Sequence, residues 1–541
     1  MHLGLDIKAD PKKAIAHSVM ESTKILKSRN NDGKAVHADS TMHSRRLHQA
    51  ANSFHWRMLQ HLIVLAAIVA VFIFGSGSTV SKLSTEKALD IAKPQLHERD
   101  YDAKSCYKTC SIEIVESIPQ NLTFNGFIPR TTTDAWLDLL NNAHSSISIA
   151  AYKSSLRGKH VFGNESQRYS SEGEAIYKAI KNAGINRKLS LRMVENGLSK
   201  DKGDNEDGKS LHKQGALVRR GLNMKKVFGS GTMHSKFIIA DNRDFYVGSA
   251  NLDWRSLNQK MELGVFVTNC PCLAGEMSTI FDSYWHGANV NNIDQFSEIL
   301  RQQPPAMYNR HTPLIMQYAG VRTEVYLASS PKPIETPSRT WDLDAVVHEI
   351  SRAKKFINVH VMDYIPMFVY AKQKRFWPVI DNALRAAILR GVDVKLLVAA
   401  LHYPEISLKF IKSLELLTGT VNNATFEARV FKVPTSVDAQ MVMRRERRTH
   451  NKFMVTENAV IIGTSNWSGD YFESKGTGIA IVIKQGTQEK QQPFVTTMQR
   501  IFIRDWDSAY THSLNEYISE CIEARTGSFC EAEKDRSLLA H

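Results

Sequence analysis

The pattern of apolar and polar positions divides much of the chain into alternating helix and strand segments. The stretch from Asp134, "DAWLDLLNNAHSSISIAAY", has apolar residues at helical spacing followed by a strand pattern. The stretch from Asp344, "DAVVHEISRAKKFINVHVMDY", repeats this order. The apolar segments that precede them, from Ser111 and from Arg322, are also alike. The pattern therefore predicts two copies of one α/β unit, joined near residue 320.

A polar pair enters one strand pattern in each copy. His234 and Lys236 stand two positions apart before an apolar run, and His450 and Lys452 do the same in the second copy. Side chains at positions i and i+2 of a strand share a face, so each pair is predicted to project together. One such pair is typical of a protected sheet edge. Two pairs in the same context indicate a shared function.

Further polar residues follow each pair at nearly matching offsets. Asn251 ends "GSAN" and Asn466 ends "GTSN", while Asp241 and Glu457 follow the intervening apolar runs. Two His, two Lys and two Asn provide a nucleophile, a proton donor and donors to non-bridging oxygens, as cleavage of a phosphodiester requires. One neutral imidazole would attack phosphorus, and the other, protonated, would protonate the leaving oxygen.

These motifs resemble those of the phospholipase D superfamily, in which two His-x-Lys-x4-Asp motifs form one active site. The resemblance runs from about Ser111 to about Asp507. The segments "GSANLDWRSLNQKMELG", "RFWPVIDNALRAA", "GTSNWSGDYF" and "IFIRDWDS" are similar to the single-pass membrane subgroup, phospholipase D three and four. Glu457 replaces the usual Asp, a departure that this subgroup shares.

The resemblance implies an α/β fold with two similar phospholipase D-type domains, related by a pseudo-twofold axis, and an active site at their interface. The implied catalytic residues are His234, Lys236, Asp241, Asn251, His450, Lys452, Glu457 and Asn466. The resemblance also implies that His234 is the nucleophile, which forms a phosphohistidine, and that His450 is the proton donor. The subgroup consists of endolysosomal 5′ exonucleases, so the implied activity is 5′-to-3′ exonuclease cleavage of single-stranded DNA or RNA.

The same residues could cleave a phospholipid. A phospholipase D, or a phosphatidyl transferase in which an alcohol replaces water, is the alternative activity. An inactive membrane adaptor is disfavoured because both His, both Lys and both Asn are present. A Lys beside each His argues against a bound cation, so we predict no metal and no cofactor. The sequence leaves open the choice between DNA and RNA and the oligomeric state, for which a homodimer is one candidate.

Three carboxylates are candidates for orienting an imidazole, namely Asp241, Glu262 and Glu457. A purely structural role is the alternative for each of them. The sequence does not choose between these roles.

The N-terminal region differs in composition from the rest of the chain. Residues 1–57 contain ten Lys/Arg and five Asp/Glu without a sustained apolar period, which predicts a disordered cytoplasmic tail. Residues 58–80 contain the uninterrupted apolar run 62–74 and predict a transmembrane signal anchor, with a cleaved signal or a buried helix as alternatives. Arg45, Arg46 and Arg57 favour a cytoplasmic N-terminus.

This orientation predicts a single-pass type II membrane protein with its catalytic part in the lumen, on the route from the endoplasmic reticulum and Golgi to the endolysosome. The predicted lumenal segments are a stalk at 81–110, a first domain at 111–320 and a second domain at 321–541.

Cysteine usage agrees with a lumenal location, because all six cysteines follow the predicted anchor. They form three clusters: Cys106 with Cys110, Cys270 with Cys272, and Cys521 with Cys530. We expect the first two clusters to bridge one another and Cys521 to bridge Cys530. Free thiols are the alternative.

Glycosylation sequons also follow the anchor, at Asn121, Asn164 and Asn423. The match at Asn466 coincides with the predicted site, where a glycan would block catalysis. The net charge of +14 over 541 residues favours an anionic substrate, either single-stranded nucleic acid or phospholipid.

Overall fold

The computed structural model describes most of the chain after residue 104. The described residues are 105–199, 203–371, 373–399, 404–421, 425–435, 443, 446–473, 476–486, 488 and 491–523. They all lie within one compact unit. The predicted tail, the predicted anchor, most of the stalk, the sequon at Asn423 and the Cys521–Cys530 bridge lie outside them. None of the helices in these ranges has the length and apolar character that a membrane crossing requires.

The first half of the described chain forms one mixed sheet with helices on its faces. Its strands are β1 (Ser111–Ser117), β2 (Arg130–Thr131), β3 (Ser146–Ala151), β4 (Ser154–Ser155), β5 (Ser190–Asn196), β6 (Val218–Leu222), β7 (Phe237–Ala240), β8 (Asp244–Gly248), β9 (Leu252–Asp253) and β10 (Lys260–Thr268). Its helices are α1 (Thr132–Asn141), α2 (Ser171–Ile185), α3 (Glu206–Lys213), α4 (Met224–Phe228), α5 (Trp254–Asn258), α6 (Pro271–Gly287) and α7 (Ile293–Gln302). Short 3-10 helices cover Cys106–Lys108, Gly158–His160 and Asn164–Tyr169.

The second half forms a second mixed sheet, two separate two-stranded pairs and one short strand that joins the first sheet. Its strands are β11 (Leu314–Tyr318), β12 (Val321–Ser330), β13 (Thr340–Trp341), β14 (Phe356–Val361), β15 (Tyr364–Ile365), β16 (Met367–Phe368), β17 (Arg375–Phe376), β18 (Asp393–Ala399), β19 (Phe426–Phe431), β20 (Arg448–Thr449), β21 (Lys452–Thr456), β22 (Ala459–Gly463), β23 (Trp467–Ser468), β24 (Gly478–Lys484) and β25 (Thr511–Ser513). Its helices are α8 (Asp342–Arg352), α9 (Val379–Leu389), α10 (Pro404–Glu415), α11 (Gly469–Phe472), α12 (Pro493–Trp506) and α13 (Leu514–Glu523), with a 3-10 turn at Lys332–Ile334.

The two sheets have the same strand order. The first runs β2-β1-β10-β8-β7-β3-β5-β6, and the second contains the matching order β13-β12-β24-β22-β21-β14-β18-β19, with β11 and β25 as additional strands beside β12 and β19. The strands β3, β5 and β6 of the first sheet are parallel, and so are β14, β18 and β19 of the second, as expected where helices connect them. The small pair β4–β9 also has its counterpart in β15–β23. This duplication confirms the predicted fold class of two similar α/β domains.

The sheets begin and end at slightly different places from the predicted domains. β11 precedes residue 320 but pairs with β12 in the second sheet. The turn between them contains Ala319 and Gly320 with φ of 49° and 77°, which suits a tight two-residue hairpin. In the other direction, β20 leaves the second half and pairs in parallel with β10 of the first sheet. Backbone hydrogen bonds between β10 and β20 therefore connect the two halves.

A single apolar cluster is shared by the two halves. It includes buried side chains of α6, such as Met277 and Phe281, and of α12, such as Met498 and Phe502. Separate clusters lie on the outer side of each sheet. Because separation of the halves would expose the shared cluster to water, burial of apolar surface holds them together.

Two disulfides fasten the start of the described chain to α6. Cys106 bonds to Cys272 and Cys110 bonds to Cys270, with Cα–Cα distances of 5.7 and 4.3 Å. The first two cysteine clusters therefore bridge one another, as the sequence predicted. The sequon residues Asn121 and Asn164 are exposed.

Candidate active site

His450 is held by the first half of the molecule. Its backbone N–H donates to the carbonyl of Met261 at 2.8 Å. Its Nδ1 lies 2.9 and 2.7 Å from the two carboxylate oxygens of Glu262, which is fully buried in β10. Burial raises the pKa of Glu262 to about 7, and the charges of Lys452 and Lys260 oppose this shift. A carboxylate at Nδ1 fixes the ring orientation and can stabilise an imidazolium.

His234 is held by the second half. The backbone N–H groups of His234 and Ser235 donate to the Thr477 hydroxyl at 2.9 and 3.1 Å. The His234 ring lies between the rings of Tyr152 and Tyr471, at centroid distances of 4.9 and 4.8 Å. No carboxylate of the described residues hydrogen-bonds to this imidazole. The two histidines therefore have different environments despite their matching sequence motifs.

The two motif lysines are buried beside these imidazoles. Lys452 Nζ donates to the His450 carbonyl at 2.8 Å, and Lys236 Nζ donates to the His234 carbonyl. Burial lowers the pKa of Lys452 to about 7 and that of Lys236 well below its ordinary value. In the case of Lys236, the charge of Lys452 adds to the effect. The two motifs thus lie near enough for their charges to repel across the seam.

The same effects act on the histidines. Burial holds the pKa of His234 well below its ordinary value, and the charges of Lys236 and Lys452 lower it further. Burial also holds the pKa of His450 well below its ordinary value, with Lys452 as the next cause. An anion between these groups would offset the repulsion and favour their charged forms.

The motif asparagines have incomplete hydrogen bonding. Asn251 and Asn466 are 3% and 1% exposed, and their Oδ1 atoms have no hydrogen-bond partner in the structure. Buried polar atoms are nearly always paired, so unpaired ones indicate a ligand position. An amide rotated by half a turn would present N–H donors in the same place.

Asp241 and Glu457 serve the backbone in this structure. The Asp241 carboxylate accepts from the N–H groups of His144, Ser145 and Ser146 at 2.7 to 2.9 Å. Glu457 Oε1 accepts from the N–H of Lys354 at 2.7 Å. Each carboxylate thereby fixes the loop before the central strand of its half. Neither hydrogen-bonds to an imidazole, which differs from the orienting role considered for them; of the three candidates, Glu262 makes that contact.

The counterpart of Glu262 in the second half has no side chain. Gly248 lies opposite Gly264 in the first sheet, and Gly463 lies opposite Ala480 in the second. This register makes Gly478 the counterpart of Glu262. The space that a Cβ at residue 478 would occupy is bordered by the Ser465 and Ser330 hydroxyls and by one oxygen of the Asp342 carboxylate, 2.9 Å from that position.

Asp342 is itself buried and accepts a hydrogen bond from the Ser465 hydroxyl at 3.1 Å. Burial raises its pKa to about 7. The two halves of the site therefore differ, because Glu262 in the first half corresponds to Gly478 in the second.

Sequence reasoning did not identify the support behind His450. His360 in β14 is fully buried, with Nε2 2.8 Å from the Thr449 hydroxyl and Nδ1 3.2 Å from an Asp505 oxygen. The Asn451 amide lies 3.3 Å from His360 Nδ1. Thr449 and Asn451 are the two chain neighbours of His450. His360 therefore contacts the side chains on either side of His450 in the sequence. Thr477 was also missed, because a lone Thr next to a Gly gives no sequence signal.

Comparison with known proteins identifies the family. The family model described as "PLD3/4, PLD-like domain" matches residues 127–436. The 5′-3′ exonuclease PLD3 of Rattus norvegicus is 36% identical over 461 residues, covering 84% of this chain and 90% of the relative. The 5′-3′ exonuclease PLD4 of Mus musculus is 36% identical over 435 residues, covering 78% and 83%. The chain belongs to the PLD3/4 family. The resemblance inferred from its motifs is thereby confirmed.

The comparison with solved structures gave two weaker similarities. The phosphatidylserine synthase of Haemophilus influenzae Rd KW20 has a TM-score of 0.48 at 11% identity, covering 72% of this chain and 86% of that chain. The phospholipase D family member Nuc from Salmonella typhimurium has a TM-score of 0.25 at 18% identity, covering 35% and 97%.

In this PLD3/4 family chain the two motifs bring two imidazoles and two ammonium groups close enough for their charges to interact across the seam. Within the described ranges, no group of three or more His, Cys, Asp or Glu side chains is arranged to hold a metal ion.

Proposed function

We propose that this protein is a phosphodiesterase that acts as a 5′-3′ exonuclease on single-stranded nucleic acid. The observation that carries the proposal is the reciprocal support of the two histidines: Glu262 of the first half binds His450, and Thr477 of the second half binds the backbone at His234. Such support builds one site from two motifs. Relatives that bear the name 5′-3′ exonuclease, PLD3 and PLD4, point to nucleic acid as substrate.

In the first chemical step, the neutral His234 ring attacks phosphorus. A P–N bond forms, the bond from phosphorus to the leaving oxygen breaks, and that oxygen takes a proton from His450. Lys236 and Lys452 stabilise the charge on the non-bridging oxygens, and the amides of Asn251 and Asn466 donate hydrogen bonds to them.

In the second step, His450 removes a proton from water, and the resulting hydroxide attacks the phosphohistidine. The P–N bond breaks, and a phosphate monoester and neutral His234 are released. Glu262 orients the His450 ring throughout and stabilises its protonated form.

The nucleophile assignment rests on the different environments of the rings. A nucleophilic imidazole must be neutral, and burial among lysines favours the neutral form of both rings. A proton donor must carry its proton at the start of the reaction, and the Glu262 carboxylate at Nδ1 of His450 opposes the lowering of its pKa, whereas His234 has no such contact among the described residues.

We also propose that residues 58–80 anchor the chain as a single-pass type II membrane protein with its catalytic part in the endolysosomal lumen. Support comes from the arginines before this segment, from the two disulfides after it and from the exposed sequons at Asn121 and Asn164. Digestion of sealed microsomes with protease should leave residues after the anchor intact, and glycosidase treatment should shift the protected band. Digestion of the catalytic part in sealed vesicles would contradict this orientation.

The activity is tested with the purified full chain in detergent. A 5′-hydroxyl single-stranded oligonucleotide, labelled at either end, and phosphatidylcholine vesicles are incubated with it at pH 5 and pH 7.5. We expect stepwise loss of nucleotides from the 5′ end, absent in the His450→Ala variant. Choline release without nucleotide release would replace this proposal with a phospholipase, and cleavage of neither substrate would overturn it.

A further inference from the structure

An aromatic path leads from the catalytic centre to the surface. The Tyr471 ring lies 4.8 Å from that of His234, and the Tyr370 ring lies edge-on to Tyr471 at 6.3 Å. Tyr370 is 50% exposed. The path therefore ends in a solvent-facing ring only two aromatic contacts from the proposed nucleophile.

The segment that bears Tyr370 is fixed to the catalytic segment. The backbone N–H groups of Val369 and Tyr370 donate to the Asp470 carboxylate at 2.7 and 3.2 Å. The Trp377 ring, after the β16–β17 hairpin, stacks on Phe472 at 5.7 Å. Both acceptor and stacking partner belong to α11, which begins three residues after Asn466. The hairpin is therefore joined by hydrogen bonds and stacking to the helix that follows Asn466.

A second exposed ring stands on the same hairpin. Phe376 is 54% exposed, and one face stacks on Phe410 at 5.6 Å with an interplanar angle of 2°. This stacking explains how the hairpin is attached to α10, but it does not explain why half of the Phe376 surface remains in water. Exposed apolar side chains that group on one segment can mark a contact surface for a ligand.

Positive charge accompanies these rings. Lys374 and Arg375 are exposed beside Phe376, and the Arg375 guanidinium lies 3.9 Å from the centroid of the Phe368 ring. Sites for single-stranded nucleic acid combine a basic track for phosphates with aromatic faces for bases. The β16–β17 hairpin has both, and it adjoins the site where a phosphodiester would be cleaved.

We propose that Tyr370 and Phe376 form a stacking platform for the bases of a single-stranded nucleic acid and that Lys374 and Arg375 bind its phosphates. This inference rests on the proposed nuclease function and specifies where the strand lies outside the catalytic centre. The platform holds neighbouring nucleotides and does not touch the reacting phosphorus, so its residues govern substrate affinity.

The test compares three substrates with the full chain and with the variants Tyr370→Ala, Phe376→Ala and the double variant. The substrates are a 5′-hydroxyl oligonucleotide, the same oligonucleotide with abasic positions next to its 5′ nucleotide, and bis(4-nitrophenyl) phosphate. Each single substitution should raise KM for the normal oligonucleotide about 10-fold, as expected for loss of one stacked base, with kcat nearly unchanged. The abasic oligonucleotide and the small diester should show no difference between variant and wild type.

Matched controls separate stacking from misfolding. Tyr370→Phe and Phe376→Tyr keep an aromatic face and should retain the wild-type KM. Phe127→Ala removes another exposed ring, 41% exposed beside Arg500, and should also leave KM unchanged. Thermal unfolding of every variant checks that the fold is intact.

Several results would overturn the platform. One is an unchanged KM for the normal oligonucleotide in the double variant. Another is an equal loss of activity on the small diester, which would indicate distortion of the catalytic centre. A loss confined to phosphatidylcholine vesicles would make the hairpin a lipid contact. If the wild-type chain cleaved no oligonucleotide, both the proposed function and the platform would be refuted. If the wild-type chain cleaved the oligonucleotide and the variants had the same KM, only the platform would be refuted.

Discussion

At the scale of single residues, the main feature is that the two motif histidines have different contacts. His450 has a buried carboxylate at Nδ1, whereas His234 is enclosed by two tyrosine rings. Imidazoles in identical motifs can thus differ in the stability of their protonated forms, because the partners come from other parts of the chain. The environment, and not the motif, distinguishes a proton donor from a nucleophile.

The His234 and His450 assignments lead to a direct test. Loss of either ring should lower activity by several orders of magnitude, because nucleophile and acid act as a unit. With a substrate that has a good leaving group, His450→Ala should accumulate a phosphohistidine that maps to His234, while His234→Ala should form none. Peptide mapping by mass spectrometry after a quench that avoids acid checks this. An adduct on His450 would reverse the assignment, and full activity of either variant would refute the mechanism.

The contact between Glu262 and His450 gives a second prediction. Glu262→Gln retains a hydrogen-bond acceptor but removes the negative charge that stabilises the imidazolium. We expect kcat to fall by about 10² to 10⁴-fold with little change in KM. In the pH profile of kcat for Glu262→Gln, the limb caused by titration of His450 should be absent or shifted. Glu262→Asp should recover part of the wild-type rate. A wild-type profile for Glu262→Gln would show that this carboxylate is only structural.

At the scale of elements, the sequence predicted the duplicated α/β order and the pairing of His with Lys, because both depend on local periodicity. It did not predict that His450 and His234 lie just outside the regular strands β21 and β7. The reason is tertiary: the backbone at His450 bonds to Met261, and the backbone at His234 bonds to the Thr477 side chain. Contacts between segments far apart in the chain leave no periodic signal. The sequence named Glu262 as one of three candidates without choosing among them, and it gave no indication of a role for His360, for the same reason.

The paired disulfides make a prediction about stability. They close loops of nearly equal length, with sequence separations of 166 and 160 residues. Either bridge alone therefore removes most of the chain entropy that both remove together. Replacing one cysteine pair with serine should reduce the free energy of unfolding by less than about 2 kcal/mol, and replacing both pairs by about 4 to 5 kcal/mol. Denaturant titration of the three variants measures this, and equal, additive losses would contradict it.

At the scale of the whole molecule, stability and catalysis are linked through buried charge. The shared apolar cluster places charged groups of both halves in a medium where ionisation is costly. Two lysines, two histidines and the carboxyls of Glu262 and Asp342 all show the effect in the pKa shifts described above. The free energy of unfolding and the activity should therefore depend on pH through the titration of buried groups.

Asp342 gives a measurable case. Burial raises its pKa in the folded protein to about 7, whereas the carboxyl of an unfolded chain ionises near pH 4. Between roughly pH 4 and 7 the folded state retains a proton that the unfolded state has lost, so the free energy of unfolding falls as pH rises through this window. Asp342→Asn removes this titration, and its Tm minus that of the wild type should increase from pH 4.5 to pH 7.5.

The exposed Asp344, two residues further along the same helix, provides the control for this experiment. The Tm difference between Asp344→Asn and the wild type should vary little over the same range. An Asp342→Asn difference that stays constant with pH would contradict the assigned shift.

The source of positive charge in the site leads to a prediction about metal ions. Because Lys236 and Lys452 stabilise the phosphate in the proposed mechanism, turnover of the oligonucleotide should be unchanged in excess EDTA. Initial rates with and without the chelator provide the measurement. Abolition of turnover that a divalent ion reverses would show that the lysines are insufficient.

The presence of Gly478 at the position that corresponds to Glu262 bears on the polarity in which a nucleic acid strand would bind. A phosphodiester has two ester oxygens, and a perfectly twofold site would meet the same strand equally well in either polarity. Among the described residues, only His450 receives a carboxylate from the other half, so in the proposed mechanism the two oxygens meet unlike partners. The oxygen that faces His450 is then the one released from every linkage. The missing side chain at Gly478 would therefore fix the polarity in which a strand binds.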